Sequence, residues 1–185
     1  MLDKVKKFVQ KSFGKKGLPH FERTLYWAKK LNPNVDESVL IAAYAHDIAR
    51  AFRKKSSEET FANCELNDAH VLKEHQEKGA KIIEEFLGRE KFDKKNIKRI
   101  SNMISKHEYG GDEESNLIKD ADSISYLENV AYKHVRQLSP LLGKDKMKRK
   151  VDWMFNRISS SKAKEAAKPI YEKVLDNWRR NVTRK

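Results

Sequence analysis

The stretch VLIAAYAHDIA, residues 39–49, is apolar at almost every position until it reaches the adjacent pair His46 and Asp47. A helix that is apolar all round belongs in the centre of a fold, so we expect this segment to be the central helix. Asp36, just before it, is a suitable N-cap. The segment therefore carries an imidazole and a carboxylate into the core, where an unpaired charge is costly.

Two partners would satisfy this buried pair. A divalent cation coordinated by the imidazole of His46 and the carboxylate of Asp47 is one, because both groups are common metal ligands. A hydrogen bond between buried histidine and aspartate side chains is the other, and the pair alone does not separate the two interpretations.

The rest of the chain predicts an all-α, single-domain helical bundle over residues 1–185. Seven glycines and four prolines among 185 residues leave long stretches free of helix breakers, and no segment alternates with the period of a strand. Arg53 to Asn63 is polar and predicts a surface connection. Apolar spacing predicts further helices over about 2–13, 20–31, 68–87, 94–106, 116–135, 146–158 and 162–182.

Composition restricts where the protein works and what it binds. Cys64 is the single cysteine and the N-terminal segment lacks a continuous apolar core, so we expect a reducing, cytoplasmic location. No stretch approaches 18 consecutive apolar residues, which predicts no membrane span. The formal net charge of +13 favours anionic partners, although a well-solvated lysine-rich surface explains it equally well.

Three short motifs occur in a fixed order along the chain: HFER begins at His20, AAYAHDI spans residues 42–48, and KDAD ends at Asp122. This order resembles the H…HD…D signature of the HD superfamily of metal-dependent phosphohydrolases. The resemblance covers about residues 18–130 and leaves about 144–182 as packing helices.

Membership of this family implies an all-α HD-domain bundle with one divalent ion held by His20, His46, Asp47 and Asp122. The ion would be Mn, Mg, Fe, Co, Ni or Zn, and the substrate would be a small phosphate ester such as a nucleotide. Asp120 matches no ligand position. Two positions along a helix correspond to a rotation of about 200° around its axis. We therefore expect the Asp120 side chain to face another side than Asp122 and to support the ligands from outside.

The same resemblance suggests roles for three side chains in hydrolysis. Asp47 would bind the metal and orient the water molecule, while Arg23 and Arg50 would stabilise charge on the phosphoryl group. Each arginine has an alternative: Arg50 as a surface residue at a helix end, and Arg23 as a structural partner of a carboxylate.

Two more histidines lie between the HD pair and Asp122, in an order that dinuclear members of the superfamily use. His75 is in the stretch HQEKGA, and His107 closes the helix predicted over 94–106. They would either complete a second metal site that shares Asp47 or line the pocket. The alternatives are an exposed His75 and a His107 that interacts with a helix dipole.

Two other functions remain open at the level of sequence. One is a regulatory module that binds metal and nucleotide without turnover. The other is a nucleic-acid-binding protein or nuclease that uses basic helices such as residues 144–150, which is weaker because no known nucleic-acid-binding motif occurs. The sequence contains no indication of oligomeric state.

Overall fold

The computed structural model describes residues 1–14 and 18–183, which form ten α-helices and one 3₁₀ helix and contain no strand. The predicted all-α fold class is confirmed. The helices are α1 Leu2–Phe13, α2 Leu18–Leu31, α3 Glu37–Ala45, the 3₁₀ helix Ile48–Phe52, α4 Ser57–Phe61, α5 Ala69–Arg89, α6 Lys94–Ser105, α7 Glu113–Asn129, α8 Ala131–Leu142, α9 Lys144–Asn156 and α10 Ser161–Thr183.

Helix α3 is the centre of the fold, as its apolar sequence predicts. It packs against α1, α2, α6 and α7, and the side chains of Ile41 through Ala45 are completely buried. The Asp36 side chain accepts a hydrogen bond from the Val39 amide and caps the helix. Helices α2 and α7 pack side by side next to it. Helices α5 and α6 form a second pair, of which α6 contacts α3.

The central helix is shorter than predicted, because α3 ends at Ala45, before the HD pair. Asp47 has φ −95° and ψ 11°, a bridge-region conformation, and the chain continues as the 3₁₀ helix. His46 and Asp47 therefore lie in a tight turn. In a regular helix, two adjacent side chains would point about 100° apart around the axis. Because the chain leaves the helix here, both side chains can face one site.

Three other predicted boundaries were wrong. The polar connection after Arg53 contains the short helix α4, which a capping box of Ser56 and Glu59 starts. Helix α5 continues through Gly88 to Arg89. The long helix predicted over 116–135 is two helices, α7 and α8, that join at Val130.

Helices α8, α9 and α10 pack on one another and on α7, and α8 also contacts α4. The Asp120 carboxylate accepts hydrogen bonds from the backbone amides of Ser159 and Ser160, 2.8 and 2.9 Å long, immediately before α10. Across the described residues, no helix combines the length and the apolar character needed to cross a lipid bilayer.

Candidate metal centre

The four side chains predicted as metal ligands meet at one point in the bundle. His20 comes from α2, His46 and Asp47 from the turn after α3, and Asp122 from the middle of α7. The Nε2 atoms of His20 and His46 lie 3.1 and 3.3 Å from Oδ1 of Asp122. The same two nitrogens lie 4.0 and 3.9 Å from Oδ2 of Asp47.

Hydrogen bonds to the other ring nitrogen set the orientation of both histidines. Nδ1 of His46 lies 2.9 Å from the carbonyl oxygen of Ala43 and donates to it. The Ser125 hydroxyl donates to the carbonyl oxygen of His20, so its oxygen is left to accept from Nδ1 of His20 at 2.8 Å. In both rings Nδ1 therefore carries a proton and Nε2 faces the site, the orientation found in metal-binding histidines.

A second group of ligand-type side chains adjoins the first and shares Asp47. Nε2 of His75 lies 2.8 Å from Oδ1 of Asp47, and Nε2 of His107 lies 3.8 Å from the same oxygen. Glu108 completes the group, with Oε1 3.6 Å from Nε2 of His107. Asp47 thus faces one group with Oδ1 and the other with Oδ2, the arrangement of a bridging carboxylate.

Helix α5 brings His75 to the site because Gly79 has no side chain. A Cβ atom at Gly79 would lie 3.3 Å from the carbonyl oxygen of His46, tighter than ordinary van der Waals contact. Glycine therefore lets α5 approach the turn that carries the HD pair. His107 lies just beyond the C-terminus of α6, where its Nδ1 donates to the carbonyl oxygen of Ile104 over 2.7 Å.

The electrostatics of the first group favour charged side chains despite burial. Burial alone would raise the pKa of Asp47 and of Asp122, but nearby cations hold both well below the usual range. These cations include Arg50 for Asp47 and Arg157 for Asp122. Burial alone would lower the pKa of His46, but the carboxylates of Asp122 and Asp47 outweigh it and raise the value to about 9.

The second group differs in charge. Burial lowers the pKa of His107 to about 4, which keeps its ring neutral at pH 7. Glu108 is ionised, because Arg157 outweighs the effect of burial and lowers its pKa to about 2. The Arg157 guanidinium donates to both Glu108 and Asp122 and so holds one carboxylate of each group.

These side chains fit a divalent metal ion. Nε2 of His46 and Nε2 of His107 are buried and have no hydrogen-bond partner, although ligand-type oxygens lie close to both. Two sets of ligand-type atoms lie within 4.8 Å of one another: His20, His46 and Asp47 in one, and Asp47, His75, His107 and Glu108 in the other. Mixed imidazole and carboxylate ligands suit Mn, Fe, Co, Ni and Zn.

Comparison with known families agrees with this geometry. The family model of the HD domain matches residues 18–127, which include both histidine groups and Asp122. The chain belongs to the HD-domain family. HD domains are generally metal-dependent phosphohydrolases, and the predicted family is confirmed.

The fold of this HD domain is also similar to a crystal structure of a predicted HD superfamily hydrolase from an uncultured Thermotogales bacterium. The two chains superpose with a TM-score of 0.62 at 20% sequence identity, over 98% of this chain and 91% of the other. The similarity therefore extends beyond the matched family region to the C-terminal helices. No curated protein sequence matches the chain significantly.

The structure brings one of the two predicted arginines to the centre of the HD domain. Nε of Arg50 lies 2.7 Å from Oδ2 of Asp47, but the alignment falls short of a hydrogen bond. Arg23 lies elsewhere: its guanidinium pairs with both carboxylate oxygens of Glu128, so it has the structural contact that was its alternative. The Asp120 carboxylate, predicted to support the ligands from outside, accepts hydrogen bonds from the Ser159 and Ser160 amides just before α10.

Sequence reasoning missed two charged residues of the site. Glu108 directly follows His107, and this adjacency is the one signal that could have drawn attention to it. Arg157 lies at the end of α9, outside the region that the family model matches. Nothing in the sequence indicates that Arg157 would meet Glu108 and Asp122, since 49 and 35 residues separate it from them.

Proposed function

We propose that the protein is a metal-dependent phosphohydrolase that acts on a small phosphate ester. One observation carries this proposal: two groups of buried histidine and carboxylate side chains share Asp47 and open into a cavity of about 180 Å³ that Arg50 also lines. Ligand-type atoms, a cation and space for an organic group thus occur together, and hydrolysis of a phosphate ester requires all three.

We assign the first metal position to His20, His46, Asp47 and Asp122. His75, His107 and Glu108 would hold a second ion together with the other oxygen of Asp47. Bound metal supplies Lewis-acid activation of a phosphoryl oxygen and of a water molecule. The unpartnered Nε2 atoms of His46 and His107 and the two-sided position of Asp47 support this assignment.

The side chains of the protein position the reacting groups. Asp47 orients the attacking water molecule, and Arg50, whose Nε makes no hydrogen bond, donates to the phosphoryl oxygens. Hydrolysis forms a bond from the water oxygen to phosphorus and breaks the bond from phosphorus to the ester oxygen. One proton of the water passes to the departing alcohol.

A phosphate-release screen with the metal-loaded protein tests this function. The panel contains mononucleotides, since a nucleotide substrate is a prediction from the family resemblance, together with sugar phosphates and alkyl and aryl phosphates. Release that depends on added metal and disappears with EDTA supports a hydrolase. Tight binding of a nucleotide without release of phosphate would instead indicate the regulatory module.

Metal analysis tests the second position separately. After loading with manganese or iron, we expect two ions per chain in the unaltered protein and one in the double variant His75→Ala/His107→Ala. One ion per chain in both proteins would reject the second site and leave the four-ligand site in place. His70 is an exposed histidine near the start of α5, so His70→Ala serves as the control that retains both ions.

A further inference from the structure

The cavity next to the candidate metal centre has two unlike walls. Its polar wall consists of the ligands His20, Asp47 and Asp122 with the neighbouring Glu108 and Arg50. The rest of its lining is largely apolar, and this apolar wall includes Phe13, Phe61, Leu66, Val130, Leu138 and Met147. With divalent metal bound to the carboxylates, a ligand that fills the cavity would have an anionic end and an apolar end.

Part of the apolar wall belongs to a separate hydrophobic cluster. Phe61, Leu66 and Met147 are buried together, with Leu138 packed against them, and they do not join the main core of the bundle. The cavity is lined by residues of both clusters, including Phe21 from the main core. The space between the two clusters is thus a pocket with apolar surface that a ligand can cover.

Two polar groups that line the cavity, the Tyr126 hydroxyl and the Lys150 amine, have no hydrogen-bond or ion-pair partner among the residues that the structure describes. The Tyr126 hydroxyl is buried and makes no hydrogen bond. Lys150 forms no ion pair with any carboxylate among residues 1–14 and 18–183, and its Nζ lies 4.3 Å from the centre of the Trp153 ring. Burial lowers the pKa of Lys150 to about 8, so the amine is still mostly protonated at pH 7. Both groups are therefore available to an anionic ligand.

The volume restricts the size of that ligand. About 180 Å³ is below the roughly 300–1,000 Å³ of pockets that enclose drug-sized molecules. A phosphoryl group against the polar wall leaves room for a compact organic group and not for a long polar one. The few polar atoms on the apolar wall also leave sugar hydroxyls without partners, and an unpaired buried hydroxyl is costly.

We propose that the substrate is a phosphate monoester of a compact, mainly apolar alcohol, whose phosphoryl group contacts Lys150 and whose alcohol group contacts Leu138 and Met147. This inference rests on the proposed function, because it assigns the ester that the metal centre hydrolyses. The residues that select the substrate lie in α8 and α9, beyond the region that the family model matches.

Binding of anions that cannot be hydrolysed tests the pocket without requiring turnover. Isothermal titration calorimetry of the metal-loaded protein would compare inorganic phosphate, methylphosphonate and phenylphosphonate. We expect phenylphosphonate to bind at least tenfold more tightly than phosphate, with methylphosphonate between them. Equal affinities for the three anions, or no binding of any of them, would overturn the proposal.

Variants on α8 test the apolar wall. Leu138→Asn should remove most of the preference for phenylphosphonate, because it places an amide where the ring would pack. The control Leu141→Asn makes the same change on the same helix at a side chain that is 61% exposed, and should keep the preference. If Leu138→Asn does not fold, Leu138→Ala replaces it. A preference that survives the change at Leu138 contradicts the assignment of this wall.

Variants on α9 test the cation. Lys150→Met should weaken the binding of all three anions at least fivefold, since each carries the anionic group that would contact Lys150. Lys144→Met removes an equal charge from an exposed position of the same helix and should have no comparable effect. Equal effects of the two variants would mean that Lys150 acts only through the net charge of the protein, and the proposed contact would be rejected.

The substrate panel separates failure of this inference from failure of the proposed function. Phenyl phosphate and short alkyl phosphates should have higher kcat/KM than mononucleotides and sugar phosphates. Hydrolysis with the opposite preference keeps the proposed function and rejects the apolar pocket. Selective binding of phenylphosphonate with no hydrolysis of any ester keeps the pocket and rejects the hydrolase.

Discussion

The two parts of the chain contribute different things to one site. Residues 18–127, which match the HD domain, contain every proposed metal ligand. The helices that follow contain no proposed ligand, but they place Arg157 against two of the carboxylates and Lys150 and Leu138 in the wall of the cavity. Under the proposed function, the first part would supply the groups for hydrolysis, and the second would supply countercharge and part of the surface that faces the organic group of a substrate.

This difference explains how one metal centre can serve different esters. The proposed ligands come from helices α2, α5 and α7, from the turn after α3 and from the segment just beyond α6. Changing them alters the reaction itself. Four residues of the apolar wall, Phe61, Leu66, Leu138 and Met147, belong to a separate small cluster, so this part of the wall can change with little effect on the main core.

The largest expected effect comes from the first part of the chain. Asp47→Ala removes the side chain that faces both groups of ligands, so we expect loss of bound metal and a fall in activity of at least about 1,000-fold. The helical circular dichroism spectrum should remain, because a ligand and not a packing group is removed. Metal analysis and phosphate release measure the two effects.

The control is Asp176→Ala, an exposed aspartate on α10 that pairs with Arg179. It should retain the metal and the rate. Activity of Asp47→Ala at the level of this control would show that the metal centre lies elsewhere.

The next effect comes from the second part of the chain and concerns stability. Arg157→Met leaves the buried carboxylates Glu108 and Asp122 without their shared cation, which should cost the metal-free protein about 3–5 kcal/mol of unfolding free energy. A bound divalent ion would replace part of the lost charge, so the metal-loaded variant should lose less. Urea unfolding with and without EDTA measures the difference.

Arg149→Met is the matched control on the same helix. Its guanidinium forms an exposed pair with Glu65 and should contribute little. If both variants lose the same stability, and the loss at Arg157 does not depend on metal, then Arg157 has no special relation to the metal centre.

Comparison of the two predicted arginines sharpens the assignment within the first part. Arg50→Ala should retain the metal and lower kcat/KM about 10- to 100-fold, because Arg50 contacts Asp47 at the cavity and would stabilise phosphoryl charge. Arg23→Ala should keep the rate, since Arg23 binds Glu128 outside the cavity. Loss of metal in Arg50→Ala, or an equal loss of rate in Arg23→Ala, would contradict these placements.

The smallest expected effect is on the pH dependence of stability. The folded-state pKa of His46, about 9, exceeds its usual value of 6.5, so its contribution is fully present below pH 6.5 and is lost as pH rises towards 9. We expect the unfolding free energy of the EDTA-treated protein to fall by up to about 1 kcal/mol between pH 7 and 8.

Thermal or urea unfolding at several pH values measures this slope, and His46→Gln should abolish it. The window stops at pH 8 because burial lowers the pKa of Lys150 to about 8, and that group acts in the opposite direction at higher pH. A stability that rises between pH 7 and 8 in the unaltered protein would contradict a charged His46 between Asp47 and Asp122.

The accuracy of the sequence predictions depends on whether the cause is local. The bounds of α1 and α6 and the N-cap of α3 follow from apolar spacing and capping residues, and the structure agrees. The end of α3 before His46 was missed, because the apolar run continues through Ile48 without a stop signal. At that point Gly79 of α5 packs against the His46 carbonyl oxygen. The two residues are 33 positions apart, so no local pattern shows this contact.

By itself the sequence determined the all-α fold class and, through its ordered motifs, the family and the four residues that meet around one point. Periodicity and short motifs record these features because each depends on neighbouring residues or on a shared ancestry. Only the tertiary structure brought Glu108, Arg157, Tyr126 and Lys150 to the same cavity and placed Arg23 outside it. These relations are distances between segments far apart in the chain, and no local pattern of residues encodes them.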